Sequence, residues 1–115
     1  MKRIVRIQAG GEPQLDHPRP DRRVRGAPLR RTWLAHEAQG LSAGVWACEP
    51  GRWRIAFAPG KQEFFHVLKG RVRLHDASGH AEDFGPGEAG VIPAGFEGEF
   101  EVIEPVRKHF VVVEA

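Results

Sequence analysis

The chain has 115 residues, of which 41% are apolar, and a formal net charge of +2. This length provides for one domain that can bury a single core without disulfides. The single cysteine excludes an internal disulfide. No apolar run approaches the roughly 18 residues of a membrane helix, and the first ten residues lack the apolar segment of a signal peptide. We therefore expect a cytoplasmic protein with no membrane contact.

Charge is distributed unevenly along the chain. Residues 1–31 contain nine Lys/Arg against three acidic residues, whereas residues 32–115 contain eight against twelve. The first segment also contains four prolines, which block helices and central strands. We predict an extended basic N-terminal arm over residues 1–31, with one short edge strand near KRIVRIQ, lying on an acidic surface of its own barrel or of a partner subunit. Nucleic-acid binding is not expected, because no aromatic residues are interleaved with the basic ones.

Residues 32–115 show short strand patterns separated by turns. The segment RWRIAFAP places Trp53, Ile55 and Phe57 on one face with a period of two, which is typical of a half-buried strand. LRRTWLAHE fits a strand or a helical turn. Further strands are predicted at LSAGVWAC, at EFFHVLKG (ending at Gly70), at RVRLHD before the turn DASG, and at three short segments between residues 84 and 115. About eight short strands predict an all-β sandwich or barrel.

Two glycine- and proline-bearing motifs carry a resemblance to a known superfamily. The first consists of Gly51, Phe57, Pro59, Glu63 and Gly70, and the second of Gly87, Pro93, Gly95, Gly98 and Val102. Their spacing resembles the two motifs of the cupin (RmlC-like) superfamily. The chain is closer still to small single-domain cupins of unknown function related to the ethanolamine-utilisation cupin and the ureidoglycine aminohydrolase barrels. The resemblance implies a double-stranded β-helix, or jelly-roll barrel, over residues 32–115, and a homodimer.

The two motifs lack the histidines of a cupin metal site. Such a site needs about three imidazoles and one carboxylate. The three histidine positions hold Phe57, Pro59 and Gly98, and only Glu63 remains. We therefore expect no metal and no cofactor.

The six histidines of the chain do not replace the missing ligands. His66 is three residues from Glu63, so in a strand it faces the opposite side. His75 and His80 flank the DASG turn and are expected at a solvated hairpin end. Only one of the neighbours Lys108 and His109 can face inward.

Glu63 is the first candidate for a functional residue. It alternates with Phe65 and Val67, so all three should point into the barrel. A carboxylate inside an apolar barrel needs a partner. Lys108 is the preferred partner. Arg54 and Arg107 are alternatives if the side chains of their strands point into the barrel in the opposite alternation.

Several aromatic residues are candidate pocket walls. Trp46 and Phe57 are the first choices and Phe65 and Phe100 the next, although each also fits a purely structural core role. We predict a ligand site formed by Trp46, Phe57, Glu63, Phe65, Phe100 and Lys108. Cys48 lies two residues after Trp46 without an evident base and is expected to be a buried, inert thiol.

Three functions fit these residues. The first is a cupin that binds a small molecule in its barrel without a metal. The second is an enzyme of small-molecule metabolism, a hydrolase or isomerase type, with Glu63 as general acid/base and Lys108 as its electrostatic partner. The third is a structural or regulatory dimer that uses the arm and an exposed strand edge.

Overall fold

The computed structural model describes residues 2–115, and these residues are almost entirely β-structure. The one helical element among them is a single 3-10 turn at Pro20–Arg22. The strands are β1 (Gln14–Asp16), β2 (Arg23–Arg25), β3 (Arg30–Ala38), β4 (Leu41–Cys48), β5 (Gly51–Ala56), β6 (Lys61–Asp76), β7 (Ala81–Phe84), β8 (Ala89–Ile92) and β9 (Glu97–Glu114). The prediction of an all-β fold is confirmed, and the segment LRRTWLAHE, which fits either a strand or a helical turn, lies almost entirely in strand β3.

Two long strands shape the molecule. β9 has 18 residues and pairs antiparallel with β4 and β5 on one side and with β6 on the other. β6 has 16 residues and pairs with β7, β8 and β9. Because two strands this long bend along their length, the sheet curls on itself and encloses a core on its concave side.

The expectation that EFFHVLKG ends at Gly70 is wrong, as is the expectation of three short strands after residue 84. β6 continues past Gly70 through a series of register shifts between Val67 and Val72. Gly70 has φ +83°, and a Cβ there would lie 2.0 Å from the carbonyl oxygen of Pro105. Glycine therefore allows the strand to bend sharply instead of ending it. On the facing strand, β9 likewise runs unbroken through Pro105.

Residues 2–29 contact the barrel through short elements. β1 pairs with β3, and β2 pairs with β5. The edge strand predicted near KRIVRIQ is not formed, and the first strand begins at Gln14 instead. β3 begins at Arg30, so the predicted boundary between residues 31 and 32 falls inside a strand. The division into an arm over residues 1–31 and a barrel over 32–115 stays a prediction.

The core lies between the inner faces of β4, β5, β6, β8 and β9. Phe65, Val67, Val72 and Val102 are fully buried at its centre. Phe65 and Val67 are two residues apart on β6, as are Phe100 and Val102 on β9, which is the alternation by which one face of a sheet is buried. Within residues 2–115, no helix is long and apolar enough to span a membrane.

Candidate functional site

A cavity of about 300 Å³ opens on the concave side of the sheet. Its aromatic walls are Trp46, Trp53, Phe57, Phe100 and Phe110, which come from β4, β5, the turn after β5, and β9. Strand register brings them together, because Trp53 lies opposite Phe100 and Trp46 lies opposite Lys108. The rings of Trp53 and Phe100 stack with centroids 5.2 Å apart. This volume is at the lower end of the range for small-molecule sites.

The polar end of the cavity is an ion pair between β6 and β9. Lys108 Nζ donates to Glu63 Oε2 at 2.7 Å. The two side chains are only 5% and 13% exposed, respectively. Glu63 lies opposite Val112, and Lys108 lies opposite Val67, so both side chains point inward from neighbouring strands and the long lysine reaches diagonally. The structure thus brings together the two residues proposed from the sequence to act as partners.

Aromatic rings surround the ammonium group of Lys108. Its Nζ lies 4.6 Å from the ring centroid of Trp46, 4.8 Å from that of Phe100 and 5.1 Å from that of Phe65. These distances permit cation–π attraction, which is stronger where water is excluded. Phe65 is fully buried and lies behind the lysine, so it supports the ion pair and does not form part of the cavity wall.

Glu63 keeps one oxygen for another partner. Within residues 2–115, Oε2 accepts the hydrogen bond from Lys108 and Oε1 accepts none. The carboxylate lines the cavity, so Oε1 is available to a donor on a molecule bound there. Arg54 and Arg107 do not pair with Glu63: Arg54 is exposed beside the 3-10 turn, and Arg107 lies over the ring of Trp33 at 5.0 Å.

The residues at the cupin ligand positions do not fit a metal. Phe57 lines the cavity, and Pro59 is exposed in the turn after β5. A Cβ at Gly98 would lie 2.0 Å from the carbonyl oxygen of His75 and 2.8 Å from the ring of Phe96. Consequently a histidine side chain could not occupy position 98 without a backbone shift. In the part of the chain that the structure describes, no three His, Cys, Asp or Glu side chains cluster as metal ligands.

The other histidines lie away from the cavity. His66 and His109 face each other on the outer side of β6 and β9, with ring centroids 5.9 Å apart. His80 is exposed at the end of the hairpin, as expected. The expectation of a solvated His75 is wrong: its side chain is 19% exposed, and its Nε2 lies 2.8 Å from Glu101 Oε1. β6 pairs with β9 as far as Asp76, and this pairing brings the side chain of His75 beside that of Glu101.

Three polar residues of the cavity lining are not among the site residues predicted from the sequence, namely Arg30, Thr32 and Lys61. Lys61 alternates with Glu63 on β6, so strand periodicity alone would have placed it on the inner face. Arg30 and Thr32 belong to β3, whose sequence fits either a strand or a helical turn. Because these two structures have different periods, the sequence does not determine which face of β3 the two side chains occupy.

The cysteine is buried, as predicted. Cys48 is 3% exposed, and burial raises the pKa of its thiol to about 12. A thiol with so high a pKa is a poor nucleophile at neutral pH because the reactive thiolate is scarce.

Comparison with known proteins places this architecture in a family. The model of the EutQ-like cupin domain matches residues 35–110. Among curated proteins, no match to the chain was found. Solved structures share the fold at low identity. A protein of the DUF861 family from Pseudomonas syringae has a TM-score of 0.81 and 22% identity over 93% of this chain, which spans only 46% of that protein's length.

Two EutQ proteins are also similar in fold. The putative ethanolamine utilization protein EutQ from Salmonella typhimurium has a TM-score of 0.68 and 17% identity, over 92% of this chain and 99% of that one. EutQ from Clostridium difficile has a TM-score of 0.67 and 19% identity, over 76% and 70%. The family match covers well over half of the sequence, and the curled antiparallel sheet agrees with it. This chain belongs to the EutQ-like cupin domain family.

Proposed function

We propose that this cupin domain binds a small organic molecule in its aromatic cavity, with the Glu63–Lys108 pair as the polar contact and without a metal held by the cupin motif positions. The observation that carries this proposal is a nearly buried ion pair at the end of an open cavity. Aromatic walls with a few convergent polar groups are the usual composition of a small-molecule site.

The energetic cost of the ion pair supports a role in binding. Removing two charges from water costs several kcal/mol, and apolar residues of similar volume are often as stable or more so. Aliphatic side chains in place of Lys108 and Glu63 would therefore stabilise the fold about as well as the ion pair does. A role in orienting a ligand explains why a carboxylate and an ammonium stand at this position.

An enzymatic function is a second candidate, favoured by the free Oε1 of Glu63. A carboxylate that faces a bound molecule can accept or return a proton. Lys108 would then be its electrostatic partner and would hold the carboxylate in place through the hydrogen bond to Oε2. The reaction class would be hydrolysis or isomerisation of the molecule in the cavity.

A homodimer is supported by the outer face of the sheet, where β8, β6 and β9 lie side by side. Phe64 is 46% exposed and pairs in register with Val91, which is 59% exposed, and with Val111. An exposed patch of neighbouring apolar side chains is typical of an interaction site. A structural or regulatory role would use this same face. We place the protein in the cytoplasm, where its single cysteine needs no partner.

The experiment is a binding screen in which tryptophan fluorescence and thermal stability are read together. Trp46 and Trp53 line the cavity, so a bound metabolite should change their emission and raise the melting temperature. Both signals should disappear in Glu63→Gln and persist in the matched control Glu82→Gln, whose carboxylate is exposed on β7. Equal responses of the two variants would contradict the proposed site. Conversion of a hit by the wild type but not by Glu63→Gln would select the enzyme.

The dimer is tested separately by sedimentation velocity at micromolar concentration. The wild type should sediment as a dimer, and Phe64→Glu should dissociate it because the substitution places a charge at the centre of the apolar patch. A wild-type monomer would exclude the dimer without affecting the cavity proposal.

A further inference from the structure

The geometry points to an anion subsite at the mouth of the cavity, formed by Arg22, Arg54 and Lys61. This inference rests on the proposed ligand in the cavity and specifies its chemical class. The ligand would be a small organic anion: an apolar or aromatic body among the tryptophans and phenylalanines, and a carboxylate or phosphate head at the mouth.

A second groove, of about 200 Å³, lies beside the cavity. The 3-10 turn Pro20–Arg22 and the end of β5 form its sides. It shares lining residues with the cavity, among them Trp53, Phe57 and Lys61. The same side chains therefore border both spaces, so a molecule seated against the cavity aromatics lies next to the groove.

The groove is strongly basic. Five Arg or Lys side chains line it, and no acidic side chain of residues 2–115 is part of its lining. Two of the five already have carboxylate partners: Arg19 pairs with Asp21 at 2.8 Å and Arg30 pairs with Asp16 at 2.7 Å. The other three are Arg22, Arg54 and Lys61, and among the described residues none of them has a carboxylate within 4.0 Å.

The surroundings leave these three cations open to a ligand. Arg54 Nη1 makes one long contact, 3.4 Å to the backbone carbonyl oxygen of Asp21. Lys61 Nζ lies 4.8 Å from the ring centroid of Phe57, at the point where the groove and the cavity meet. Glu114 is opposite Lys61 in register, yet forms no ion pair with it. Positive charge at the mouth of a low-dielectric cleft attracts anions.

The contrast between the two parts of the site determines the ligand class. Inside the cavity, Glu63 neutralises Lys108, so the interior has no net charge for a second carboxylate to satisfy. At the mouth, three cations have no counter-charge. Because the enclosed volume is only about 300 Å³, it matches a ring-sized body and excludes a polymer from the interior.

The test uses three probes of similar shape: phenylacetate, phenyl phosphate and the neutral phenylacetamide. Each is titrated into the wild-type protein, and dissociation constants are taken from tryptophan fluorescence. Both anions should bind about tenfold or more tightly than the amide, since a charge-assisted contact contributes about 1.5–3 kcal/mol and 1.4 kcal/mol is a factor of ten. Higher salt should reduce this preference.

Variants separate the subsite from the cavity. Arg54→Gln should weaken both anions about tenfold and leave the amide unchanged, and Lys61→Gln should weaken both anions about tenfold more than it weakens the amide. Lys69→Gln, which removes an exposed cation near the middle of β6, should change nothing. Val112→Phe, which fills the cavity, should weaken all three probes. Circular dichroism verifies that each variant is folded.

Three outcomes would overturn part of this account. Equal affinities for the amide and the anions would refute the anion subsite and leave the cavity proposal intact. If Lys61→Gln weakens anion binding and Val112→Phe does not, the anion subsite is supported and the cavity is refuted as the place where the rest of the ligand binds. Failure of all three probes to bind at millimolar concentration would refute both.

Discussion

Disrupting the Glu63–Lys108 pair should reveal how much of the stability of the barrel depends on it. At an effective dielectric constant of about 20, two unit charges about 4 Å apart attract by about 4 kcal/mol. The side chains are only 5% and 13% exposed, so little of this attraction is lost to solvent screening. Leaving one buried charge without its partner costs about 3–5 kcal/mol.

The two single substitutions should differ in cost. Glu63→Leu should lower the free energy of unfolding by about 3 kcal/mol, because it leaves the less exposed lysine unpaired; the surrounding rings compensate only in part. Lys108→Met should cost less, because Glu63 can be hydrated from the cavity. The double substitution should return to within about 1 kcal/mol of the wild type, because an apolar pair replaces the ionic one.

Urea unfolding at neutral pH measures these values by linear extrapolation. The double-mutant cycle should give a coupling energy of about 2 kcal/mol or more. Additive single effects, with a coupling below about 0.5 kcal/mol, would be the result for a solvated surface pair. Such a result would refute the interpretation of this pair as the buried polar end of the cavity.

Three further predictions follow from single positions. Gly98→His should lower the free energy of unfolding in urea by about 1–3 kcal/mol, because the new side chain is forced against the His75 carbonyl oxygen. The variant should also bind no nickel or zinc in elemental analysis. Unchanged stability together with one bound metal ion would contradict the conclusion that a histidine does not fit at position 98. Burial opposes ionisation of Glu101, but hydrogen bonds from Arg25 and His75 hold its pKa below the ordinary 4.5. Its contribution to stability is therefore present above pH 4.5 and is lost as pH falls through the lowered pKa. Glu101→Gln should flatten the acid side of a plot of unfolding free energy against pH, and a variant plot parallel to that of the wild type would show that the carboxylate adds nothing. Cys48 should not react with a thiol reagent at pH 8 until the protein unfolds, and rapid labelling of the native protein would contradict its burial.

Strand periodicity accounts for what the sequence could predict about the site. A period of two places Glu63, Phe65 and Val67 on one face, and it allows only one of the neighbours Lys108 and His109 to face inward. The ion pair itself depends on how β6 and β9 align, because its partners are 45 residues apart. Only the observed register, with Val67 opposite Lys108, brings the two side chains within reach.

The wrong strand boundary has its physical origin in glycine. The sequence pattern predicts a strand end at Gly70, yet its positive φ lets β6 bend and continue. The error at His75 has a different origin: its contact with Glu101 depends on the pairing of β6 with β9, which the local sequence pattern does not reveal. The groove residues Arg22 and Arg54 were missed because the 3-10 turn approaches β5 only in three dimensions. No local pattern records that proximity.

The polar end of this cavity is an ion pair and not a metal centre, and elemental analysis of the purified protein tests this directly. After dialysis without chelator, we expect far less than one equivalent of zinc, iron, nickel or manganese per chain, with the same trace amounts in Glu63→Gln. One equivalent in the wild type that is lost in Glu63→Gln would contradict it.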